Sequence, residues 1–491
     1  MPRIKCRWDG KSPADEKPQS RVCVAAPRPL TQYGSIAPLL SAGASYVFLL
    51  CQRSLYGRKA FFVNYQESLD YILGTPNPGG VYERNVINTL LKELGDPQKD
   101  CRYVHIAGTN GKGSTAAYIA SILRKAGYKT GLYTSPFIQR FNERIQVNGV
   151  QIPDDALAEI TTQIAAAAER VQAMGYRRPT IFELITALGF CWFSREKCDI
   201  VSLEVGMGGR LDATNVIEQS EVSCIVNIGF DHMEFLGDTL PLIAMEKAGI
   251  IKPGGDVVVY GQTPEVEEVF RRVCAERGAA FSISDSSRAV VKENTVDGTV
   301  FDFGGYEDLR ISLLGKYQVR NACTAVTAIQ HLRRHGWAIS DLALREGLWE
   351  THWPGRLELL QKDPVVIVDG AHNPQGAEAL MEAMTALFPD RKFRIVVGVL
   401  ADKDYTASID IAAPHAEKFY AVTPPSYRAL SSEALAEVIR HHSGTPVQPF
   451  DSIPAAIEAA LQESDPQDIL CIFGSLYQVG DVRSYFGRNV F

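Results

Sequence analysis

Apolar residues along this chain recur with two periods, and the periods alternate. Short, almost continuous apolar runs at residues 101–107, 129–134, 199–205, 222–228 and 257–260 read as strands buried on both faces. Stretches with a helical apolar period lie before and between them, at 65–73, 83–94, 114–126, 153–174 and 180–193. Asp154 and Asp155 fall in the first turn of the alanine-rich helix at 153–174, where negative charge is favourable. The pattern changes at 281–314, where 299–303 and 309–313 read as short antiparallel strands. A helix over 317–335 follows, and Trp353-Pro354-Gly355-Arg356 breaks the pattern as a linker does. A second strand-and-helix series then runs through strands at 365–369, 394–398, 418–422 and 469–474. The order predicts an α/β protein with a mostly parallel sheet in a large domain at 63–352. A linker at 353–357 leads to a smaller Rossmann-like α/β domain at 358–491. No internal repeat or low-complexity tract is visible.

Residues 1–62 stand apart from this pattern. They carry ten Lys or Arg against three Asp or Glu, six prolines, and no sustained period. Three readings stay open: a disordered basic extension, an organelle transit peptide, or a start site that belongs at Val63.

Composition narrows the function classes. A hydrophobic content of 46% and a charged content of 22% are those of a soluble globular protein, and the expected location is the cytoplasm. The net charge of −7 gives no electrostatic reason to expect nucleic acid as a partner. No apolar run is long enough for a membrane span; residues 42–51 come nearest. The ten cysteines contain no C-x-x-C pair and read as reduced, mostly buried thiols.

Candidate chemistry clusters at the ends of the predicted strands. Gly108-Thr109-Asn110-Gly111-Lys112-Gly113-Ser114 lies between a strand and a helix, as a phosphate-binding loop does. Its glycines let backbone N–H groups converge, the helix start adds partial positive charge, and Lys112 adds a full one. The loop departs from G-x-x-x-x-G-K-[ST], because Gly113 separates Lys112 from Ser114. Glu204 ends one strand and opens a glycine-rich segment running to Asn215; Asp231-His232 follows the next strand. A carboxylate there suits a hard divalent cation such as Mg²⁺. Glu246-Lys247-Ala248-Gly249 follows a helix in this reading, and a lysine so near a cation site would repel the metal unless neutral or modified. Asp369-Gly370-Ala371-His372-Asn373-Pro374 and Gly474-Ser475-Leu476-Tyr477 mark strand ends in the second series.

Taken together, these motifs resemble the folylpolyglutamate synthase/dihydrofolate synthase family, within the superfamily of ATP-dependent Mur-type amide ligases. The resemblance runs from about residue 65 to the C-terminus and includes Ser135-Pro136-Phe137 through Arg144. It implies ATP and Mg²⁺ as cofactors, and a pteroate or reduced folate and L-glutamate as substrates. The family fold also implies a monomer. The implied ATP contacts are Asn110, Gly111, Lys112, Gly113 and Ser114 on the phosphates, Asn321 on the adenine, and Arg356 and Asp369 from the second domain. The implied metal ligands are Ser135, Glu204 and His232. Lys247 matches a lysine that the family carbamylates, a change that would remove the conflict of charge. The pterin would lie by Arg144, Thr180, Phe182, Glu183 and Leu211, and His372 and Ser475 would serve glutamate and the phosphate intermediate. Tyr317 stands where a histidine is common. The implied reaction makes an acyl phosphate that the amino group of glutamate then attacks. A folylpolyglutamate synthase without the dihydropteroate step, a muramyl-peptide ligase and a nucleotide-dependent switch are the alternatives. The muramyl ligase would usually carry Thr directly after Lys112 and a separate N-terminal domain.

Overall fold

The computed structural model describes residues 64–75 and 84–488, so the readings of residues 1–62 and Val63 fall outside it. The first sheet contains β1 (Arg102–Ala107), β2 (Thr130–Tyr133), β3 (Ile145–Val147), β4 (Val150–Gln151), β5 (Ile200–Glu204), β6 (Val222–Ile225), β7 (Asp256–Tyr260) and β8 (Ala280–Ser284). Their order is β4-β3-β2-β5-β1-β6-β7-β8, with every pair parallel except β2–β3 and β3–β4. A small antiparallel sheet follows, formed by β9 (Val290–Thr295), β10 (Gly298–Phe303) and β11 (Tyr306–Ile311). The last sheet has β12 (Glu358–Lys362), β13 (Val365–Val368), β14 (Phe393–Val397), β15 (Ala416–Ala421), β16 (Val447–Pro449) and β17 (Ile469–Phe473). It is ordered β12-β13-β17-β14-β15-β16 and is parallel except at the β12 edge. The α/β architecture expected from the chain pattern is present.

The central strands β1, β5 and β6 are apolar because both of their faces are covered. On one face the helix Lys112–Lys125 is buried over ten consecutive residues, Ser114 to Leu123. It is enclosed by the sheet and by the helix Lys316–Arg334, whose Val319, Ala322 and Val326 join the same core as Tyr118, Ile119 and Ile122. Its small residues allow that double burial, and the phosphate loop therefore rests on a rigid support.

Three expectations are corrected. The strand expected to reach residue 228 ends at Ile225, and the chain beyond it borders the phosphate loop, with Thr109 N donating to Asn227 O at 2.7 Å. Glu246 and Lys247 do not follow a helix. They lie in the last turn of the helix Leu240–Ala248, which Thr239 caps and Gly249 ends. The linker runs directly into β12, an antiparallel edge strand absent from the sequence reading. Among the described residues, no helix is long and apolar enough to cross a membrane.

Candidate active site

The phosphate loop leaves β1 and turns through Gly111, whose φ of +91° favours glycine. The helix begins at Lys112, two residues earlier than its periodicity suggests, so the N–H groups of the loop face outward from a helix N-terminus. Lys112 Nζ donates to Thr109 O at 3.2 Å. Ser114 Oγ accepts from Gln318 Nε2 at 3.2 Å, and Asn321 Nδ2 donates to Gln318 Oε1 at 3.1 Å. Asn321 approaches so closely that a Cβ on Gly111 would lie 2.5 Å from its Oδ1. The extra glycine has a similar cause. A Cβ on Gly113 would lie 2.8 Å from Cζ2 of Trp353, the aromatic residue of the linker.

Parallel register sets Glu204, at the end of β5, beside Ile106 of β1. Glu204 is 3% exposed, and its Oε2 accepts from Ser135 N at 3.1 Å. Burial raises its pKa, against the pull of Lys112, the Ser135 amide, Arg356 and Arg144. A buried carboxylate beside this loop is a natural ligand for a cation. Lys247 is equally buried and donates to Gly108 O at 2.8 Å. Burial, followed by the charge of Lys112, pushes its pKa down to about 7. His232 sits at φ +50° in front of a short helix. Burial lowers its pKa although Asp231 opposes the shift.

One cavity of about 410 Å³ is lined by Ser135 and His232 and also by Arg144, Thr180, Phe182, Glu183 and Leu211. The sequence-derived acceptor residues on the first domain are thus brought together with two of the three expected metal ligands. Arg144 packs over Phe137 and Phe141, with ring centroids 5.2 and 5.7 Å away, and burial lowers its pKa. Thr180 and Glu183 also form a capping box for the helix Ile181–Arg195. Glu183 pairs with Arg177 through two 2.8 Å bonds. Their polar atoms are largely committed to holding the wall, while Phe182 supplies apolar surface.

The second domain reaches the same region. Gln375 accepts from Asn110 Nδ2 at 2.8 Å, and Lys403 pairs with Asp231 at 3.2 Å. Burial opposes the ionisation of Asp231, but His232 and Lys403 outweigh it and hold its pKa low. Asp369 accepts from Leu357 N and Ala371 N at 2.7 Å and from the Tyr317 hydroxyl at 3.3 Å. Arg356 donates to Gly355 O, and His372 Nδ1 pairs with Gly370 O at 2.9 Å. Ser475 is buried and caps the helix Leu476–Tyr485, away from the walls of the acceptor cavity. Gln375 and Gln318 were not singled out by sequence, and Trp353 was read only as part of the linker. Gln375 follows Asn373-Pro374, a readable helix start, but its partner lies 265 positions away.

A glycine-rich loop between a parallel strand and a helix, bonded to a second α/β domain through Asn110–Gln375, is the arrangement of an ATP-dependent ligase of the Mur type. The Mur ligase middle domain matches residues 106–329, and the Mur ligase glutamate ligase domain matches residues 355–476. The dihydrofolate synthase/folylpolyglutamate synthase of Bacillus subtilis is 38% identical over 86% of this chain and 99% of its own length. The folylpolyglutamate synthase of Lacticaseibacillus casei is 39% identical over 86% and 98%. Mycobacterium tuberculosis folylpolyglutamate synthase, solved with ADP, superposes with a TM-score of 0.80 at 31% identity, covering 87% of this chain and all of that one. The chain belongs to the dihydrofolate synthase/folylpolyglutamate synthase family.

Proposed function

We infer that this enzyme joins L-glutamate to the carboxylate of dihydropteroate and of reduced folates, through an acyl phosphate formed with ATP. The observation that carries this reading is the cavity in which Ser135 and His232 meet Phe182 and Arg144, while Glu204 accepts from Ser135 N and the charge of Lys112 acts on both Glu204 and His232. Two solved structures support the pairing of ligands: an FPGS complex with AMPPCP and folate, and E. coli FolC in complex with DHPP and ADP.

A carboxylate oxygen attacks the γ-phosphorus of ATP and ADP departs. The amino nitrogen of glutamate then attacks the acyl carbon, loses a proton, and phosphate departs. Asn110, Gly111, Lys112, Gly113 and Ser114 would hold the ATP phosphates, and Asn321 the adenine. Arg356 and Asp369 would add contacts from the second domain. Lys112 and the loop N–H groups would stabilise charge developing on phosphorus. The acceptor would lie against Arg144, Thr180, Phe182, Glu183 and Leu211, with His372 and Ser475 serving glutamate and phosphate. Domain contacts such as Asn110–Gln375 would keep water from the acyl phosphate.

Ser135, Glu204 and His232 would hold Mg²⁺. The fit rests on the buried carboxylate of Glu204 and the hydroxyl of Ser135, both hard oxygen donors. When bound, the ion would neutralise phosphate charge. Lys247 is a candidate for carbamylation, because an amine with a pKa near 7 has a large neutral fraction able to attack CO₂. The chain would act as a monomer in the cytoplasm.

The test is glutamate-dependent ADP release by the full chain with Mg-ATP, offered dihydropteroate or tetrahydrofolate. Turnover with both is expected. Turnover with tetrahydrofolate alone would remove the dihydropteroate step, and no turnover with either would overturn the reading.

A further inference from the structure

Arg84, Arg210 and Leu211 line both the acceptor cavity and a second cavity of about 550 Å³. The second cavity takes in Glu218, Lys252 and Arg277, from the segments that lead into β6, β7 and β8. No residue of the phosphate loop lines it, and Glu204 stands at the opposite, C-terminal end of its own parallel strand. The cavity is therefore set apart from the chemistry of ATP.

Its charge is unbalanced. Four cations line it, Arg84, Arg210, Lys252 and Arg277, against one carboxylate, Glu218, which is exposed. Arg210 is paired with Glu246 at 2.9 Å. The other three donate to neutral groups. Arg84 donates to Arg210 O, and Arg277 to the carbonyls of Ile251 and Gly249. Lys252 Nζ donates to Asn215 Oδ1 at 2.7 Å and Ile217 O at 2.5 Å. Lys252 is 8% exposed, and the buried Nε of Arg84 has no partner. Burial, then the charges of Arg84 and Arg277, pushes the Lys252 pKa down to about 7. Like charges gathered without counter-charge are costly, and an anion entering the cavity removes that cost.

The lining selects among anions. Guanidinium groups present paired N–H donors that match the oxygens of a phosphoryl group, and a dianion offsets two charges where a carboxylate offsets one. No aromatic side chain is offered to a flat ring, whereas Val216, Ile217, Ile251 and Pro253 supply surface for a small aliphatic remainder. Asn215 ties this lining to the acceptor wall. Its Oδ1 accepts from Lys252, and its Nδ2 donates to Arg210 O at 3.3 Å and Gly249 O at 3.1 Å. Gly249 approaches so closely that a Cβ on it would overlap Arg210 Cα. A ligand that draws Arg84 and Arg210 toward itself takes positive charge from the neighbouring cavity. We propose that the basic cavity is an effector site for a phosphoryl dianion, as orthophosphate or a small phosphate monoester, whose binding weakens that of the anionic acceptor. The site stands on its own lining; its effect on the acceptor rests on the ligase reading above.

Arg277 lines the basic cavity and not the acceptor cavity, so Arg277→Gln separates the two. Calorimetry of the full chain with orthophosphate and with ribose 5-phosphate tests the site, in a Lys112→Ala background that silences the phosphate loop. Binding is expected there, and adding Arg277→Gln weakens it at least about tenfold, the loss of one charge-assisted contact. Equal affinity for the two probes supports the free ion as ligand, and tighter binding of the ester supports a monoester whose remainder meets the apolar wall. Binding that vanishes with Lys112→Ala, or persists unchanged with Arg277→Gln, overturns the proposal, as does acetate binding as tightly as orthophosphate. Tungstate soaked into crystals of the Lys112→Ala protein decides the matter if the Arg277 variant is unstable. Anomalous density among Arg84, Lys252 and Arg277 supports the site, and its absence there refutes it. The effect is read as KM for tetrahydrofolate at saturating Mg-ATP, which phosphate should raise at least about twofold in the wild type and leave unchanged in Arg277→Gln. No rise, or an equal rise in both proteins, overturns the effector role. Arg277-dependent phosphate binding by a protein that turns over no pterin would instead overturn the ligase reading and leave the phosphoryl site standing.

Discussion

Gly113→Ala should weaken ATP binding through an aromatic residue 240 positions away, and the size of the effect follows from the geometry. The added methyl would lie 2.8 Å from Cζ2 of Trp353 and 3.0 Å from its Cε2 and Nε1. Carbon contacts relax at about 3.5–4.0 Å, so the ring must retreat by roughly 0.7 Å or more. An indole cannot bend, and Trp353 packs against the core beneath the loop, so the linker carrying it must shift. Overpacking of this kind costs about 1–3 kcal/mol, and replacing a helical glycine by alanine returns up to about 1 kcal/mol. The net loss of stability is therefore small. The displacement also moves Arg356, three residues further along. If about 1.4 kcal/mol of the strain opposes the nucleotide-bound arrangement, KM for ATP rises about tenfold. ADP release is measured against ATP concentration for the wild type, Gly113→Ala, Trp353→Ala and the double variant. The alanine at 113 should cost little once the indole is gone, giving a coupling energy of at least about 1 kcal/mol. Additive effects in this cycle would refute the argument.

Lys112→Ala and Glu204→Gln should each lower kcat by at least about a hundredfold. Glu204→Gln should leave the melting temperature unchanged or higher, because burial disfavours its charge; retained activity in either variant removes that residue from its role. Lys247→Ala should lose activity that formate or acetate partly restores, and intact mass should show one CO₂ on the wild type; a fully active enzyme with unmodified Lys247 refutes the carbamate. Lys252 sets a pH dependence of stability. Its folded pKa of about 7 lies below its unfolded value, so between these the unfolded chain binds more protons and stability rises with pH. The wild type should gain about 2 kcal/mol relative to Lys252→Met between about pH 7 and about pH 9 in denaturant titrations; a flat difference contradicts the shift.

Much of this architecture is readable before folding because the central strands are apolar on both faces. The hairpin β3–β4 escaped because its strands are short and partly polar, with Gln146 and Gln151 exchanging pairs. Its signal was present in Val147-Asn148-Gly149-Val150, where both turn residues take positive φ. The capping box of Thr180 and Glu183 was likewise readable as T-x-x-E, so their part in holding the helix accompanies any contact with substrate. The pairs Asn110–Gln375 and Asp231–Lys403 have no local signature, because each joins residues from separate domains. The cavity lined by Arg84, Arg210, Lys252 and Arg277 was hidden for a different reason: these residues share one domain but no common motif, and they converge only when the sheet is built.

The bonds of Asp369 bear on how such a protein can be recombined. One carboxylate ties Leu357 of the linker, Ala371 of the second domain and Tyr317 of the first. Trp353 meanwhile lies against the phosphate loop of the first domain. A chimaera that splices a relative's C-terminal half onto this N-terminal half must cut this knot on one side or the other. Joined ahead of Trp353, it brings a foreign ring against Gly113; joined after Leu357, it asks a foreign aspartate to find Tyr317. The two halves therefore fit as a matched pair, with residues 353–369 as the piece that carries the match.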